Sequence, residues 1–275
     1  MINLMSHNRT KIMGILNVTP DSFYDGSKYS DVKKAVEHAV EMSRYADIID
    51  IGGESSRPGS EQILADIELK RVIPVIKEIS KRIDTGITKI SIDTTKADVA
   101  EEAINSGASI INDISAMRFD EKMKDVAAKY GTNVVLMHMK GMPKTMQLNP
   151  HYDDVIGEIL SFLKERINFA VANGIKKEKI IIDQGIGFGK RVEDNLMVIK
   201  NLDKFKILNC PILVGTSRKS FIGILSGNIP PEERLEGTIS STAIAVMNGA
   251  DIVRVHDVKE IYKAICLADA IKNLK

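Results

Sequence analysis

Polar side chains that can bind a ligand follow each of eight short apolar runs along the chain. Carboxylates accept hydrogen bonds, carboxamides donate and accept them, and the nearby Lys219 donates them. This mixture suits a planar heterocycle with several ring nitrogens and an exocyclic amine, because a carboxylate can accept two hydrogen bonds from an amidine-like edge. The residues at the ends of the runs are Asn17, Gly52-Gly53-Glu54, Asp93, Asn112-Asp113, His138, Asp183, Gly215-Thr216-Ser217 and Arg254 with His256.

A basic pair ends this series. Arg254 and His256 lie two residues apart at the end of the last run, so their side chains are expected on the same side of it. Arginine with histidine suits a phosphate group. In TSRKS (216–220), Thr216 or Ser217 is placed to begin a helix, and a helix N-terminus also favours anions.

The stretch DQGIGFGK (183–190) carries three glycines at alternate positions. The spacing excludes two nucleotide-binding motifs, because the glycines do not follow G-x-G-x-x-G and Lys190 is not followed by Ser or Thr. Two interpretations remain, a simple strand-to-helix turn or a loop that leaves room for a ligand beside Asp183.

Ordinary structural roles compete with each of these hypotheses. Asp93 taken alone is better explained as a helix cap, and Asn112 with Asp113 as turn formers. For His138 we predict a packed, half-buried histidine rather than a ligand. Helix caps alone do not readily explain eight polar strand ends that converge on one place.

The elements that must position these residues alternate regularly along the chain. Amphipathic helices are predicted at 31–45 and 153–173, and the apolar runs show little polar alternation, which is typical of parallel strands buried on both faces. Eight strands, each followed by a helix, favour a single-domain (β/α)8 barrel over residues 1–275, with a doubly wound open sheet as the alternative. The predicted strands are 12–16, 48–51, 89–93, 109–113, 133–137, 180–183, 211–215 and 251–255.

The composition narrows the class of protein. Of 275 residues, 44% are hydrophobic, and 38 Lys and Arg against 37 Asp and Glu give a net charge of +1, which predicts no nucleic-acid or membrane partner through bulk charge. The two cysteines lack the spacing of a disulfide framework or zinc site. Without a signal-peptide pattern or a membrane-length apolar run, we expect a cytoplasmic protein.

Four long segments resemble those of the dihydropteroate synthase family: GILNVTPDSFYDG (14–26), DIGGESSRPG (50–59), MHMKGMPKTMQ (137–147) and VGTSRKSFIG (214–223). Shorter matching segments keep the family's order, so the resemblance covers the whole chain. They are SIDT (91–94), INDI (111–114), DQGIGFGK (183–190) and RVHDV (254–258).

The resemblance implies a TIM barrel, usually a homodimer, that joins 4-aminobenzoate to 7,8-dihydropterin-6-ylmethyl diphosphate in folate synthesis. It implies an SN1-like path in which diphosphate leaves first, with Mg2+ as the cofactor. The residues implied for the pterin are Asp93, Asn112, Asp183, Phe188 and Lys219, and those for the diphosphate are Asn17, Ser56, Arg254 and His256. Phe23, Arg57, Pro58 and Ser220 would surround 4-aminobenzoate, Asn17 would also bind Mg2+, and the catalytic residues would be Asp93, Lys219, Arg254 and His256.

The chain departs from the family's usual pattern at Gln184, where proline is common. Proline would favour an extended preceding residue, and Asp183 at a strand end is extended already, so we expect glutamine to be tolerated. Two other functions compete with synthesis. A pterin-binding methyltransferase would not be expected to keep TPDSF, SRPG and SRKS, and a non-catalytic pterin-binding paralogue would not need Arg254 and His256.

Overall fold

The computed structural model describes residues 9–19, 28–55 and 59–274. Eight parallel strands form a closed barrel in which each strand pairs with the next and the last pairs with the first. The strands are β1 (Lys11–Asn17), β2 (Ile48–Gly52), β3 (Lys89–Asp93), β4 (Ile110–Asp113), β5 (Asn133–Met137), β6 (Ile180–Asp183), β7 (Ile212–Val214) and β8 (Ile252–Val255). The predicted (β/α)8 barrel is confirmed, and the closed strand order excludes the open doubly wound sheet.

Helices connect the strands and surround the barrel. The helix predicted at 31–45 spans 28–42, and the one predicted at 153–173 spans 155–172. The helices are α1 (Lys28–Met42), α2 (Ala65–Arg82), α3 (Ala97–Asn105), α4 (Met123–Tyr130), α5 (Val155–Ala172), α6 (Val192–Lys200), α7 (Ser220–Leu225), α8 (Leu235–Met247) and α9 (Val258–Lys272). In the described part of the chain, no helix has both the length and the apolar character needed to cross a membrane.

Local sequence explains where individual helices begin and end. Helix α5 begins after Asp154, whose Oδ1 accepts a hydrogen bond of 3.1 Å from the N–H of Gly157. Helix α4 ends at Tyr130 and is capped by Gly131, which adopts a left-handed conformation with φ of 58°.

The inside of the barrel has an apolar floor made of one residue from each of seven strands. They are Met13, Ile48, Ile110, Val135, Ile181, Leu213 and Ile252. Because side chains alternate along a strand, the residue two positions later also points inward, one layer nearer the carboxyl ends. On four strands that residue is polar, which gives Asp50, Asn112, Asp183 and Arg254. The fold therefore places a polar layer directly on an apolar floor.

Candidate active site

The strand register brings four of the strand-end residues into one row. Asn17 pairs with Gly52, Gly52 with Asp93, and Asp93 with Asn112. A Cβ atom at Gly52 would lie 3.8 Å from Oδ1 of Asn17 and 3.6 Å from Cβ of Asp93. Glycine at this position therefore keeps the space between Asn17 and Asp93 open.

Arg254 joins two acids across the mouth of the barrel. Its Nε donates to Oδ2 of Asp50 at 2.6 Å, and its Nη2 donates to Oδ2 of Asp93 at 2.5 Å. The same Asp50 oxygen accepts a hydrogen bond of 2.9 Å from Nδ2 of Asn112. Asp93, Asn112 and Arg254, which the sequence placed at separate strand ends, thus form one network through Asp50.

Asp50 is the member of this network that sequence reasoning missed. It is completely buried and lies inside β2 rather than at its end. A signal was present, because an acid within the apolar run IIDIG is rare unless it has a partner.

The charges in this network are held where water has little access. Burial raises the pKa of Asp93 to about 7, against the opposing attraction of Arg254. The carboxyl of Asp93 therefore exchanges its proton near neutral pH. Arg254, attracted by Asp50 and Asp93, has a pKa above its ordinary value and remains charged.

The opposite side of the mouth carries Asp183, Phe188 and Lys219. Burial raises the pKa of Asp183, whose Oδ1 accepts a hydrogen bond of 2.7 Å from the N–H of Gly185. Nζ of Lys219 lies 4.2 Å from the centre of the Phe188 ring, and burial lowers the pKa of Lys219 to about 8. Lys219 also interacts electrostatically with Asp93 and Arg254, so both sides of the mouth belong to one site.

An apolar wall completes this side. Phe188 packs with Ile114, Met137, Met139 and Met146, and Phe119 lies against the same cluster. Methionines such as these fill irregular surfaces with a polarisable side chain. The wall gives a flat ligand an apolar surface beside the polar groups.

His256 is held by Ser217 from the end of β7. The Ser217 hydroxyl oxygen accepts the backbone N–H of His256 at 3.2 Å and lies 2.9 Å from its Nδ1. Because a hydroxyl both donates and accepts, Ser217 can donate to Nδ1 while it accepts the backbone N–H, and in that arrangement the ring carries its proton on Nε2. Burial lowers the pKa of His256 to about 3, so the imidazole is neutral at physiological pH and presents an N–H donor.

A second ion pair fixes the loop that carries Lys219. Arg218 adopts a left-handed conformation with φ of 57° and donates two hydrogen bonds to Asp257, at 3.0 and 2.6 Å. This pair ties the loop after β7 to the residue that follows His256. Sequence reasoning did not single out Arg218 or Asp257.

The glycines of DQGIGFGK meet protein atoms at close range. A Cβ atom would lie 1.9 Å from the carbonyl oxygen of His138 at Gly185, and 2.2 Å from that of Lys140 at Gly189. At Gly187 it would lie 2.9 Å from Cδ of Lys219. The glycines therefore make room for the loop after β5 and for Lys219, which is a different physical reason from the simple ligand clearance expected from the sequence.

Lys190 holds the glycine loop through hydrogen bonds to its backbone. Its buried Nζ lies 3.0 Å from Nδ1 of His138 and donates to the carbonyl oxygens of Gly185 at 2.9 Å and Phe188 at 3.3 Å, and burial lowers the pKa of Lys190 to about 7. His138 is buried and packs edge-on against Phe162, and burial lowers its pKa to about 2. The expected packing of His138 is confirmed, and it is more complete than the half-burial predicted.

The remaining predicted residues divide into two groups. Asn17 ends β1, and Ser220, which is exposed, begins α7 next to Lys219. Phe23, Ser56, Arg57 and Pro58 lie outside the described residues. Within the described ranges, no group of three His, Cys, Asp or Glu side chains is arranged to hold a metal ion.

Comparison with known proteins shows what this barrel is similar to. The profile of the family described as "Pterin binding enzyme" matches residues 13–256. A dihydropteroate synthase of Clostridium beijerinckii is 51% identical over 265 residues, which are 96% of this chain and 94% of that protein.

Two solved structures match over nearly their full length. Yersinia pestis dihydropteroate synthase with a sulfonamide drug complex superposes with a TM-score of 0.91 at 43% identity, covering 97% of this chain and 95% of that one. Xanthomonas albilineans dihydropteroate synthase in complex with 7,8-dihydropteroate gives a TM-score of 0.87 at 38% identity, covering 98% and 97%. This chain belongs to the dihydropteroate synthase family of pterin binding enzymes.

Proposed function

We propose that this chain condenses 7,8-dihydropterin-6-ylmethyl diphosphate with 4-aminobenzoate to form 7,8-dihydropteroate and diphosphate. The observation that carries the proposal is the arrangement of Asp93, Asn112, Asp183 and Lys219 around one barrel mouth, beside the apolar wall of Phe188. The related Xanthomonas enzyme was crystallised with the product of this reaction.

The pterin is held by complementary hydrogen bonds. Since the Asp50 carboxylate only accepts, the Asn112 amide must turn its Nδ2 towards Asp50 and offer Oδ1 to the ligand. Asp183 offers carboxylate oxygens, and Lys219 donates to a ring nitrogen or the carbonyl oxygen of the pterin. Phe188 covers a ring face.

The reaction begins when the bond between the pterin methylene carbon and the diphosphate oxygen breaks, and its electron pair leaves with the diphosphate. The methylene carbon becomes cationic, and the Asp93 carboxylate favours that charge. The amine of 4-aminobenzoate then donates its electron pair to form the new C–N bond and releases a proton to solvent. No enzyme nucleophile takes part in either step.

The departing diphosphate is assigned to Arg254, His256 and Asn17, with Ser56 as a further contact. Arg254 uses Nε and Nη2 for Asp50 and Asp93, and Nη1 is the nitrogen that we assign to the phosphate oxygens. The neutral His256 ring donates from Nε2. Phe23, Arg57, Pro58 and Ser220 are assigned to 4-aminobenzoate on the family resemblance.

Magnesium is part of this proposal. Mg2+ usually keeps several waters and takes few protein oxygens together with substrate phosphates, so a site with one carboxamide oxygen at the open space beside Gly52 fits it. Asn17 would hold the ion, which supplies positive charge to the diphosphate when bound.

We also propose that the chain is one barrel domain that pairs as a homodimer in the cytoplasm. Two free cysteines support a reducing compartment. Three neighbouring helices, α6, α7 and α8, carry six exposed apolar side chains, which favours contact with a second copy. They are Leu196, Met197, Ile224, Leu225, Ile244 and Met247.

One experiment separates synthesis from the competing functions. The chain is incubated with the pterin diphosphate, 4-aminobenzoate and Mg2+, and in parallel with methyltetrahydrofolate and a methyl acceptor, and the products are identified by mass spectrometry. Dihydropteroate in the first mixture supports the proposal. Methyl transfer in the second mixture, or tight pterin binding without any product, would overturn it.

A further inference from the structure

Asp50 contacts both Asn112, which is assigned to the pterin, and Arg254, which is assigned to the diphosphate. Its carboxylate is completely buried, and a single oxygen, Oδ2, accepts from Nδ2 of Asn112 and from Nε of Arg254. Asn112 comes from β4 and Arg254 from β8, which are not adjacent strands. One atom of Asp50 therefore fixes the relative position of two side chains that the backbone ladder does not connect directly.

The second oxygen of Asp50 has a different environment. Among the described residues, Oδ1 of Asp50 and Oγ of Ser91 are both buried without a hydrogen-bond partner, and these two residues are paired across β2 and β3. Buried polar atoms of this kind are costly in a folded protein. The unpaired Oδ1 of Asp50 lowers the free energy of unfolding, so stability of the fold does not explain why position 50 holds an acid.

The orientation of the Asn112 carboxamide is not determined by Asn112 itself. A carboxamide can rotate to exchange its oxygen and nitrogen, and only a neighbour of defined character selects one orientation. Asp50 is such a neighbour because an ionised carboxylate never donates. An amide at position 50 could donate as well as accept, so it would no longer select one orientation of Asn112. It would also remove one of the two negative charges, Asp50 and Asp93, that pair with Arg254.

Resting on the function proposed above, we propose that Asp50 is a positioning residue that sets the Asn112 amide to accept from the pterin and aligns Arg254 for the diphosphate. It contacts neither substrate. Its effect reaches the ligand through the orientation of Asn112 and the location of the Arg254 guanidinium.

Four variants test this role through a double-mutant cycle: Asp50→Asn, Asn112→Asp, the double variant with both changes, and Ser91→Ala as the matched control. The double variant exchanges acid and amide, so the new amide at position 50 donates to the new carboxylate at position 112 but no longer accepts from Nε of Arg254. Recovery is therefore expected in pterin affinity and not in kcat. The local charge is then unchanged, and position 112 still presents an oxygen to the pterin. Ser91→Ala alters a buried polar group beside Asp50 without touching Asn112 or Arg254.

Affinity for 6-hydroxymethyl-7,8-dihydropterin is measured by calorimetry, and kcat and KM are measured separately, after thermal unfolding has shown that each variant is folded. We expect each single variant to lose at least 10-fold in pterin affinity, the double variant to recover most of that loss, and Ser91→Ala to stay within 3-fold. Asp50→Asn within 3-fold of the wild type, or a double variant no better than the combined single losses, would overturn the proposal. The calorimetric cycle is independent of turnover, so a failure of the proposed reaction is recognised separately by the absence of dihydropteroate in the wild type.

Discussion

Nη2 of Arg254 donates a hydrogen bond of 2.5 Å to Oδ2 of Asp93, joining β8 to β3 across the barrel mouth. The proposed partner of the methylene cation and the proposed partner of the diphosphate are therefore in direct contact before any substrate arrives. Positive charge that develops on the methylene carbon would lie near Asp93, and negative charge on the diphosphate would lie near Arg254. Because both side chains are already fixed, the site has the arrangement that electrostatic catalysis requires.

Arg254→Lys should reduce kcat/KM for the pterin diphosphate by about 100-fold or more while the protein stays folded. A lysine ammonium lacks the planar fork that lets Arg254 reach Asp50 and Asp93 at the same time. Steady-state kinetics measure the effect. Arg191→Lys, which alters a partly exposed ion pair with Asp194, serves as the control and should change kcat/KM by less than about 3-fold. An Arg254→Lys enzyme as active as this control would refute the role of the fork.

The pH dependence of kcat/KM should be bell-shaped. The reaction needs the carboxylate form of Asp93, whose pKa is raised to about 7, so activity should rise as the pH increases through that value. It also needs the ammonium form of Lys219, whose pKa is lowered to about 8, so activity should fall above that value.

Lys219→Arg tests the alkaline side of this profile. A guanidinium stays charged at every pH of the assay, so the fall above a pH of about 8 should disappear even though the maximum rate is reduced. If the fall at high pH persisted unchanged in this variant, Lys219 would not be its cause.

Gly185→Ala should destabilise the fold far more than Gly131→Ala. Both glycines have positive φ, 67° and 58°, so each alanine carries the left-handed penalty of about 1 kcal/mol. Only at Gly185 does the new Cβ meet a backbone oxygen, that of His138, at 1.9 Å. Urea unfolding should therefore show about 3 kcal/mol of additional loss at Gly185. Equal losses at the two positions would show that the loop yields easily.

Several features of the site were predictable from the sequence because the carboxyl ends of parallel strands meet at one face. Asp93, Asn112, Asp183 and Arg254 are each the last or next-to-last residue of a strand, and the register places them around one mouth. Asp50 was not predicted because its partners, Asn112 and Arg254, are 62 and 204 residues away in the chain. The packing of Gly185 and Gly189 against the loop after β5 likewise depends on a tertiary contact that no local pattern encodes.

Gln184→Met should increase the free energy of unfolding by about 1–2 kcal/mol, because the Gln184 side chain is fully buried and neither amide atom has a hydrogen-bond partner in the described part of the chain. Gln147→Met is the contrasting control. Nε2 of Gln147 donates to the carbonyl oxygen of Gly187 at 2.7 Å, so this change should destabilise the protein. A destabilised Gln184→Met variant would mean that an unseen partner, such as a buried water, satisfies the amide.

The most direct test of the proposed synthesis follows both products in one reaction. With the pterin diphosphate, 4-aminobenzoate and Mg2+, the wild type should release diphosphate and form dihydropteroate in a one-to-one ratio, and Asp93→Ala and Lys219→Ala should lose both together. Diphosphate released without dihydropteroate, or dihydropteroate formed at near-normal rates by either variant, would contradict the account.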